Sequence, residues 1–219
     1  MPKINWGIIG PGSIANAFSY SIKNATNSKL ISVYGRDPCK TDNFANKFNI
    51  DAYHQLEDFL SHKDLDAIYI ATPHSEHFFY ALEGIKNRKH VLCEKPFTMN
   101  AFESMVLLDL ANTKNVFLME AFMYRTHPQT KNILDNLNFL SDAKEKIMIE
   151  ASFGFKADVP STHRLRNPEL GGGAILDVGC YPLTMVKLIA GQLQGLAFAD
   201  PKSLSATGQI DETGVDLQS

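Results

Sequence analysis

The stretch Ile4-Asn5-Trp6-Gly7-Ile8-Ile9-Gly10-Pro11-Gly12-Ser13-Ile14-Ala15 decides the fold. Its apolar half, Ile4–Ile9, reads as a strand, and Ile14–Asn24 reads as a helix that opens directly after the glycine turn. In that context G-x-G-x-x-A is the spacing with which a strand–turn–helix unit binds a dinucleotide. The first glycine permits the tight turn, and the second lets the backbone approach a pyrophosphate. Ala15 is small enough for helix and strand to pack closely. Backbone N–H groups and the positive end of the helix dipole then face the phosphates, which makes Gly10, Pro11, Gly12, Ser13 and Ile14 the expected cofactor-binding turn. A glycine turn with no ligand is the plain alternative.

Outward from this turn, short apolar runs alternate with longer amphipathic ones, the pattern of a parallel sheet with crossover helices. Strands are expected at Leu30–Tyr34, Ala67–Ala71, His90–Cys93 and Val116–Met119, with Asp51–Tyr53 as a short edge strand before a small helix at Leu56–Leu60. Helices are expected at Pro38–Phe48, Glu76–Asn87 and Ala101–Asn112. Asp37 is the natural N-cap of the first of these, with Pro38 at its first position, and Asn100 caps the last. The pattern changes near Met123, so the chain divides into residues 1–123, an NAD(P)-binding Rossmann domain, and 124–219, a partial α+β domain, to which the family resemblance described below assigns substrate binding and dimerisation. In the second part Thr130–Leu140 reads as a helix and Lys146–Phe155 as a strand with alternating faces. Ala174–Ala190 reads as a helix containing Gly179 and Pro182, and Pro182 should bend or break it. One strand and one or two helices do not close a domain, because an unpaired edge exposes backbone. Either the chain is a fragment or partner chains complete the sheet.

Composition narrows the class. With 219 residues, 44% hydrophobic and 21% charged, the sequence is that of an ordinary globular protein with room for one domain and part of another. A formal net charge of -3 offers no basic field for nucleic acid, and no Lys/Arg run suits a membrane surface. No apolar run reads as long enough to span a bilayer, and the early strand leaves no room for a signal peptide. Three cysteines, Cys39, Cys93 and Cys180, form no CxxC pair, so a reducing cytoplasm is expected. The seven histidines match no metal-binding helix pattern, and no metal is expected.

Three further groups of residues bear on chemistry. The second strand ends Tyr34-Gly35-Arg36, with a guanidinium rather than a carboxylate at the place that meets the adenosine ribose. Arg36 favours a 2′-phosphate and hence NADP over NAD, and Asp37 is turned away by its capping role. A solvent-facing Arg36 is the alternative. Glu94-Lys95-Pro96 follows the fifth strand at its carboxyl end, where open α/β sheets bind ligands. Gly171-Gly172-Gly173 precedes Asp177 and Tyr181, which four-residue spacing puts on one helix face. The glycines let that helix come close to a cofactor or to another backbone. A packed Tyr181 and a surface Asp177 are the structural alternatives.

Together these residues resemble the Gfo/Idh/MocA oxidoreductase family. The resemblance runs through the glycine turn, Thr72-Pro73-His74 with His77, Glu94-Lys95-Pro96, Glu120-Ala121-Phe122-Met123-Tyr124-Arg125 and Gly171 to Pro182. It implies an α/β fold: an N-terminal Rossmann domain followed by an incomplete α+β domain of the Gfo/Idh/MocA type. Tyr181 is similar to the branch with glucose-fructose oxidoreductase, NADP-dependent D-xylose dehydrogenases and dimeric dihydrodiol dehydrogenases. The resemblance implies hydride transfer between nicotinamide and the CH–OH group of a sugar, polyol or cyclic diol. Tyr181 is then the acid/base, Lys95 the charge that eases its ionisation, and Asp177 an orienting group. Thr72, Pro73, His77, Glu94 and Lys95 are implied on the cofactor side, with His77 equally able to cap or pack its helix. Arg125 and Arg164 are implied in the substrate cleft, and a cis Lys95–Pro96 bond is expected. Relatives continue into a large, mostly antiparallel sheet that forms a homodimer interface. Here Gly214-Val215-Asp216 resembles the start of a strand in it, so a truncated member is expected, with a non-catalytic NADP-binding protein as the alternative.

Overall fold

A computed structural model describes residues 3–137 and 146–218. The chain forms two compact units, one through Ala121 and one from Phe122 onward.

The first unit is a six-stranded sheet, all of it parallel, in the order β3-β2-β1-β4-β5-β6. Its strands are β1 (Ile4–Ile9), β2 (Ser28–Tyr34), β3 (Asp51–Tyr53), β4 (Ala67–Ile70), β5 (His90–Cys93) and β6 (Leu118–Glu120). Between them run α1 (Ser13–Ile22), α2 (Pro38–Phe48), α3 (Leu56–Leu60), α4 (His77–Lys86) and α5 (Ala101–Lys114). Every residue of β4 is buried, as befits a strand covered on both faces. The twofold period of the strands sorts side chains between two cores. Ile9, Ile68 and Ile70 join Phe59, Tyr80 and Leu107 on one face. Ile8, Val33 and Tyr69 join Ala15, Phe44 and Phe48 on the other. Full burial of a side chain the size of Phe59 stabilises by roughly 2–3 kcal/mol.

Local chemistry sets the helix ends. The Asp37 carboxylate accepts from the Lys40 N–H at 3.1 Å, and Pro38 opens α2. Asn100 caps α5 through the Glu103 N–H at 3.0 Å. Asn49 and Asn115 end α2 and α5 in the left-handed conformation that asparagine tolerates. The last of these displaces β6 from the expected Val116–Met119. The Val116 N–H closes the end of α5 on the Ala111 carbonyl, so ladder pairing with β5 begins only at Leu118.

The second unit contains α6 (Pro128–Asn136), α7 (Cys180–Leu193) and a short antiparallel pair, β7 (Gln209–Ile210) and β8 (Asp216–Gln218). The helix expected at Thr130–Leu140 thus begins earlier, and its last three residues, 138–140, lie outside the described residues. The strand expected at Lys146–Phe155 is absent: these residues are described without regular secondary structure. Alternation is only half of a strand signal, and the other half is a neighbour offering its ladder groups. The break expected at Pro182 takes a different form. A π-helical turn, Ile175–Gly179, runs directly into α7, which carries Pro182 in its first turn. The π turn closes the Cys180 N–H on the Ile175 carbonyl, and this wider register carries the chain helically into Pro182, which has no N–H of its own to donate. By length and composition Pro168–Leu193 holds an 18-residue window apolar enough for a membrane span, with mean hydropathy 1.4 in that window, contrary to the sequence expectation. It is not one continuous helix, because residues 171–173 form an irregular turn before the π-helical segment.

The glycines here serve backbone packing. A Cβ on Gly172 would lie 2.8 Å from the carbonyl oxygens of Arg164 and Leu165, and Gly173 has φ +112. Of the two uses expected for Gly171–Gly173, the structure therefore shows close approach to another backbone. Arg166 then ties this turn to the hairpin through Asp211 at 2.6 Å and Glu212 at 3.3 Å.

Candidate functional site

In the first unit the strand order reverses beside β1, where neighbouring crossovers leave a crevice at the carboxyl ends of the strands. A cleft of about 270 Å³ occupies this place. Gly10, Gly12, Arg36, Lys40, Thr72 and Glu76 are among its lining residues. Gly10 has φ +92, and a Cβ there would sit 3.0 Å from the Ala71 carbonyl oxygen. That glycine is demanded by the protein itself. Gly12 is different. It has ordinary extended dihedrals, φ -90 and ψ -170, and an added Cβ would meet nothing nearer than 3.9 Å. Among the described residues nothing requires glycine at position 12, whereas a phosphate lying against this backbone would.

The start of α1 suits an anion. Gly12 provides no side-chain cap, and no acidic residue lies in the first turn, so the positive pole faces the cleft uncompensated. Thr72 Oγ1 in the cleft wall is buried without a hydrogen-bond partner. Ser13 and Ile14 occupy the first turn, with Ile14 exposed, and Pro11 lines the cleft. A Cβ on Gly35 would lie 2.8 Å from Pro11 Cδ, so the glycine lets the β2 tip approach the turn and places Arg36 at the mouth. The guanidinium of Arg36 pairs with Glu76 at 2.5 Å. The Lys40 N–H holds the Asp37 carboxyl below the usual carboxylate range, as its capping role requires. These residues fit a dinucleotide, with the glycine turn on the pyrophosphate and Arg36 and Lys40 on the adenosine ribose end. Lys40 and Glu76 were missed in the sequence. Lys40 shares the first turn of α2 with the cap, a position that could have been noticed, whereas Glu76 carried no local signal.

Past β5 the loop of Glu94, Lys95 and Pro96 is held from several sides. The Tyr69 hydroxyl donates to the Glu94 carboxylate, and the Phe97 N–H donates to Glu120 at 2.8 Å. The Lys95–Pro96 peptide is cis. His77 is fully buried, with Nδ1 2.8 Å from the Pro96 carbonyl oxygen and Nε2 3.0 Å from that of Thr72. It stands behind the cleft and links the Thr72-Pro73 loop to the Lys95 loop, rather than facing a ligand. Burial pushes its pKa below the ordinary value, although both carbonyls pull the other way. Glu94 likewise spends its carboxylate on Tyr69 and on the Lys95 N–H at 3.3 Å.

In the second unit Asp177 is buried, with the Arg164 guanidinium 3.5 Å from its carboxylate. Asp177 also lines a cavity of about 520 Å³ together with Phe153, Arg166 and Pro182. Tyr181 lies outside that lining. Its ring packs edge-on against Phe122 and Phe153, with centroids 5.4 and 5.3 Å away, and near Tyr124 at 6.0 Å. Arg125 stacks its guanidinium on the Phe198 ring at 4.5 Å. Of the four residues expected in this unit, the structure therefore joins Arg164 to Asp177, surrounds Tyr181 with aromatic rings and places Arg125 on Phe198. Among the described residues, no three His, Cys, Asp or Glu side chains gather where they could hold a metal ion.

A parallel sheet with a glycine turn at its switch point, followed by a second α+β unit, defines the class of Rossmann-fold α/β proteins. A family model described as "Oxidoreductase family, NAD-binding Rossmann fold" matches residues 4–122, and the chain belongs to this family, Gfo/Idh/MocA. It is 36% identical over 216 residues to trans-1,2-dihydrobenzene-1,2-diol dehydrogenase of Xenopus tropicalis, covering 96% of this chain and 62% of the relative. It is 30% identical over 233 residues to D-xylose 1-dehydrogenase (NADP(+)) of Hypocrea jecorina, covering 97% of this chain and 60% of that protein. A solved 3-ketoreductase from Actinomadura kijaniata, in complex with NADP and TDP-benzene, superimposes with a TM-score of 0.76 at 27% identity, over 86% of this chain and 58% of its own. The chain thus spans about three fifths of the length of these relatives.

Proposed function

We propose that this chain is the nucleotide-binding and catalytic part of an NADP-dependent dehydrogenase acting on the CH–OH group of a sugar, polyol or cyclic diol. The observation that carries the reading is Gly12, a glycine with room for a side chain, at the bare start of α1. Arg36 and Lys40 at the β2 end of the cleft favour a ribose bearing a 2′-phosphate. The relatives named for NADP, D-xylose and a trans-dihydrodiol support the same cofactor and substrate class.

A bound nicotinamide supplies the acceptor or donor of the hydride. The turn from Gly10 to Ile14 holds the pyrophosphate, and the Thr72-Pro73 loop closes the side of the cleft. Tyr181 takes the proton from the substrate hydroxyl in oxidation and returns it in reduction. A free phenol ionises near pH 10, so the positive charge of Lys95 is assigned the role of favouring the phenolate. Asp177 and Arg164 act as one pair that orients substrate hydroxyls, with Arg125 as a further cleft residue. His77 and Glu94 act through the loops they hold. Cys39, Cys93 and Cys180 form no CxxC pair, which fits a cytoplasmic protein, and a homodimer is proposed for its assembly.

The test is turnover of trans-1,2-dihydrobenzene-1,2-diol and of D-xylose with NADP+, followed by the absorbance of the reduced nicotinamide, beside a fluorescence titration with NADPH. NADPH binding with turnover of one of them is the expected result. A chain that binds no nucleotide overturns the reading.

A further inference from the structure

Glu76 lies on the wall of the same cleft, and neither the glycine turn nor the proposed reaction makes use of it. We infer that Glu76 sets the cofactor preference, its carboxylate competing with a ribose 2′-phosphate for Arg36 and accepting the 2′-hydroxyl where that phosphate is missing, so that the cleft takes NAD as well as NADP. The inference rests on the dinucleotide reading above.

Its basis is the arrangement of charge. Glu76 Oε1 is 2.5 Å from Arg36 Nη2, and the side chains are 20% and 68% exposed respectively. The carboxylate is thus the anchored member of the pair and the guanidinium the one that can turn. Glu76 closes the three-residue turn His74–Glu76 after the Ala71-Thr72-Pro73 loop that follows β4, its N–H bonded to the Pro73 carbonyl at 3.0 Å, and leads into α4. The cleft's other carboxylate, Asp37, is occupied by the Lys40 N–H at 3.1 Å and Nζ at 3.4 Å. Among the described lining residues, Glu76 is therefore the carboxylate positioned to accept a ribose hydroxyl.

The two cations, Arg36 and Lys40, are balanced by two anions, Asp37 and Glu76. An incoming 2′-phosphate gains the Arg36 fork only by displacing Glu76, and then faces that carboxylate at short range. A ribose without the phosphate disturbs nothing and gains one charge-assisted hydrogen bond. Both effects compress the preference that two cations alone would produce.

The experiment is titration of the whole chain, as wild type, E76Q and E76A, with NADPH and with NADH, each followed by nucleotide fluorescence, after a thermal melt of every variant. Wild type is expected to bind both nucleotides. E76Q keeps the shape and removes the charge, so NADPH should bind about fivefold tighter and NADH about threefold weaker. E76A should shift the ratio in the same direction and gives the comparison if E76Q does not fold. A ratio that stays within about twofold of wild type in the folded variants overturns the inference while leaving the dinucleotide reading intact. Wild type that binds NADPH but not NADH overturns it too. Wild type that binds neither overturns the dinucleotide reading and this inference together.

Discussion

The two glycines of the first turn should respond in opposite ways to the same substitution. Gly10 sits at φ +92, with the Ala71 carbonyl oxygen and Thr72 Cγ2 both 3.0 Å from where a Cβ would stand. Alanine there meets a left-handed backbone penalty of about 1–2 kcal/mol. Crowding against β4 adds about 1 kcal/mol more. A loss of about 2–3 kcal/mol lowers the melting temperature of a unit this size by roughly 10 °C. Gly12 has φ -90 and nothing nearer than 3.9 Å, so Gly12→Ala should change stability by less than about 0.5 kcal/mol. The methyl group would instead stand between the backbone and a pyrophosphate, weakening about two charge-assisted hydrogen bonds at the start of α1. That predicts about 100-fold weaker NADPH binding, or about 2.7 kcal/mol. Thermal melting and fluorescence titration on the same preparations measure both quantities. The reasoning is refuted if Gly12→Ala melts about 5 °C below wild type, or if it binds NADPH within about twofold of wild type.

Other substitutions probe the rest of the molecule. Burial holds the pKa of His77 below the ordinary 6.5 in the folded protein, against the pull of the two carbonyls. The unfolded chain therefore binds more protons below that value, so the stability this residue contributes is present above about pH 6.5 and is lost as pH falls through the folded pKa. Urea melts between pH 7.5 and pH 5 should show that loss, and His77→Gln should flatten it; an unchanged slope would count against it. In the second unit, Gly172→Ala should destabilise by about 2 kcal/mol or more, because backbone atoms surround the new methyl at 2.8–2.9 Å. Circular dichroism melts check this, and a wild-type transition would show that the loop yields freely. Tyr181→Phe should lower turnover about 100-fold or more with NADPH affinity unchanged, since only the proton transfer is lost. Equal loss of NADPH binding would argue for a packing role among Phe122, Tyr124 and Phe153.

Much of the first unit was legible in the chain order of its residues. Ile4–Ile9, the glycine turn, the Asp37 cap with Pro38, and the Asn100 cap each depend on neighbours within a few positions. A local pattern is enough to read them. A cleft lies beside that glycine turn at the carboxyl end of β1. Other features depend on groups far apart in sequence. Lys146–Phe155 alternates like a strand but meets no ladder partner among the described residues. The use of Gly172 by the Arg164–Leu165 backbone appears only when the two segments are seen together. The pairing of Arg36 with Glu76 spans forty positions (76 - 36 = 40) and follows from β2 and β4 flanking β1. The burial of His77 between the carbonyls of Thr72 and Pro96 requires β4 and β5 to be neighbours. Backbone periodicity and capping are short-range and written in adjacent residues, so the sequence by itself determined the Rossmann class and the strand–glycine turn–helix unit that opens it. Charge neutralisation and burial depend on which strands lie side by side, and only the tertiary structure decided which side chains face the cleft and which stand behind it.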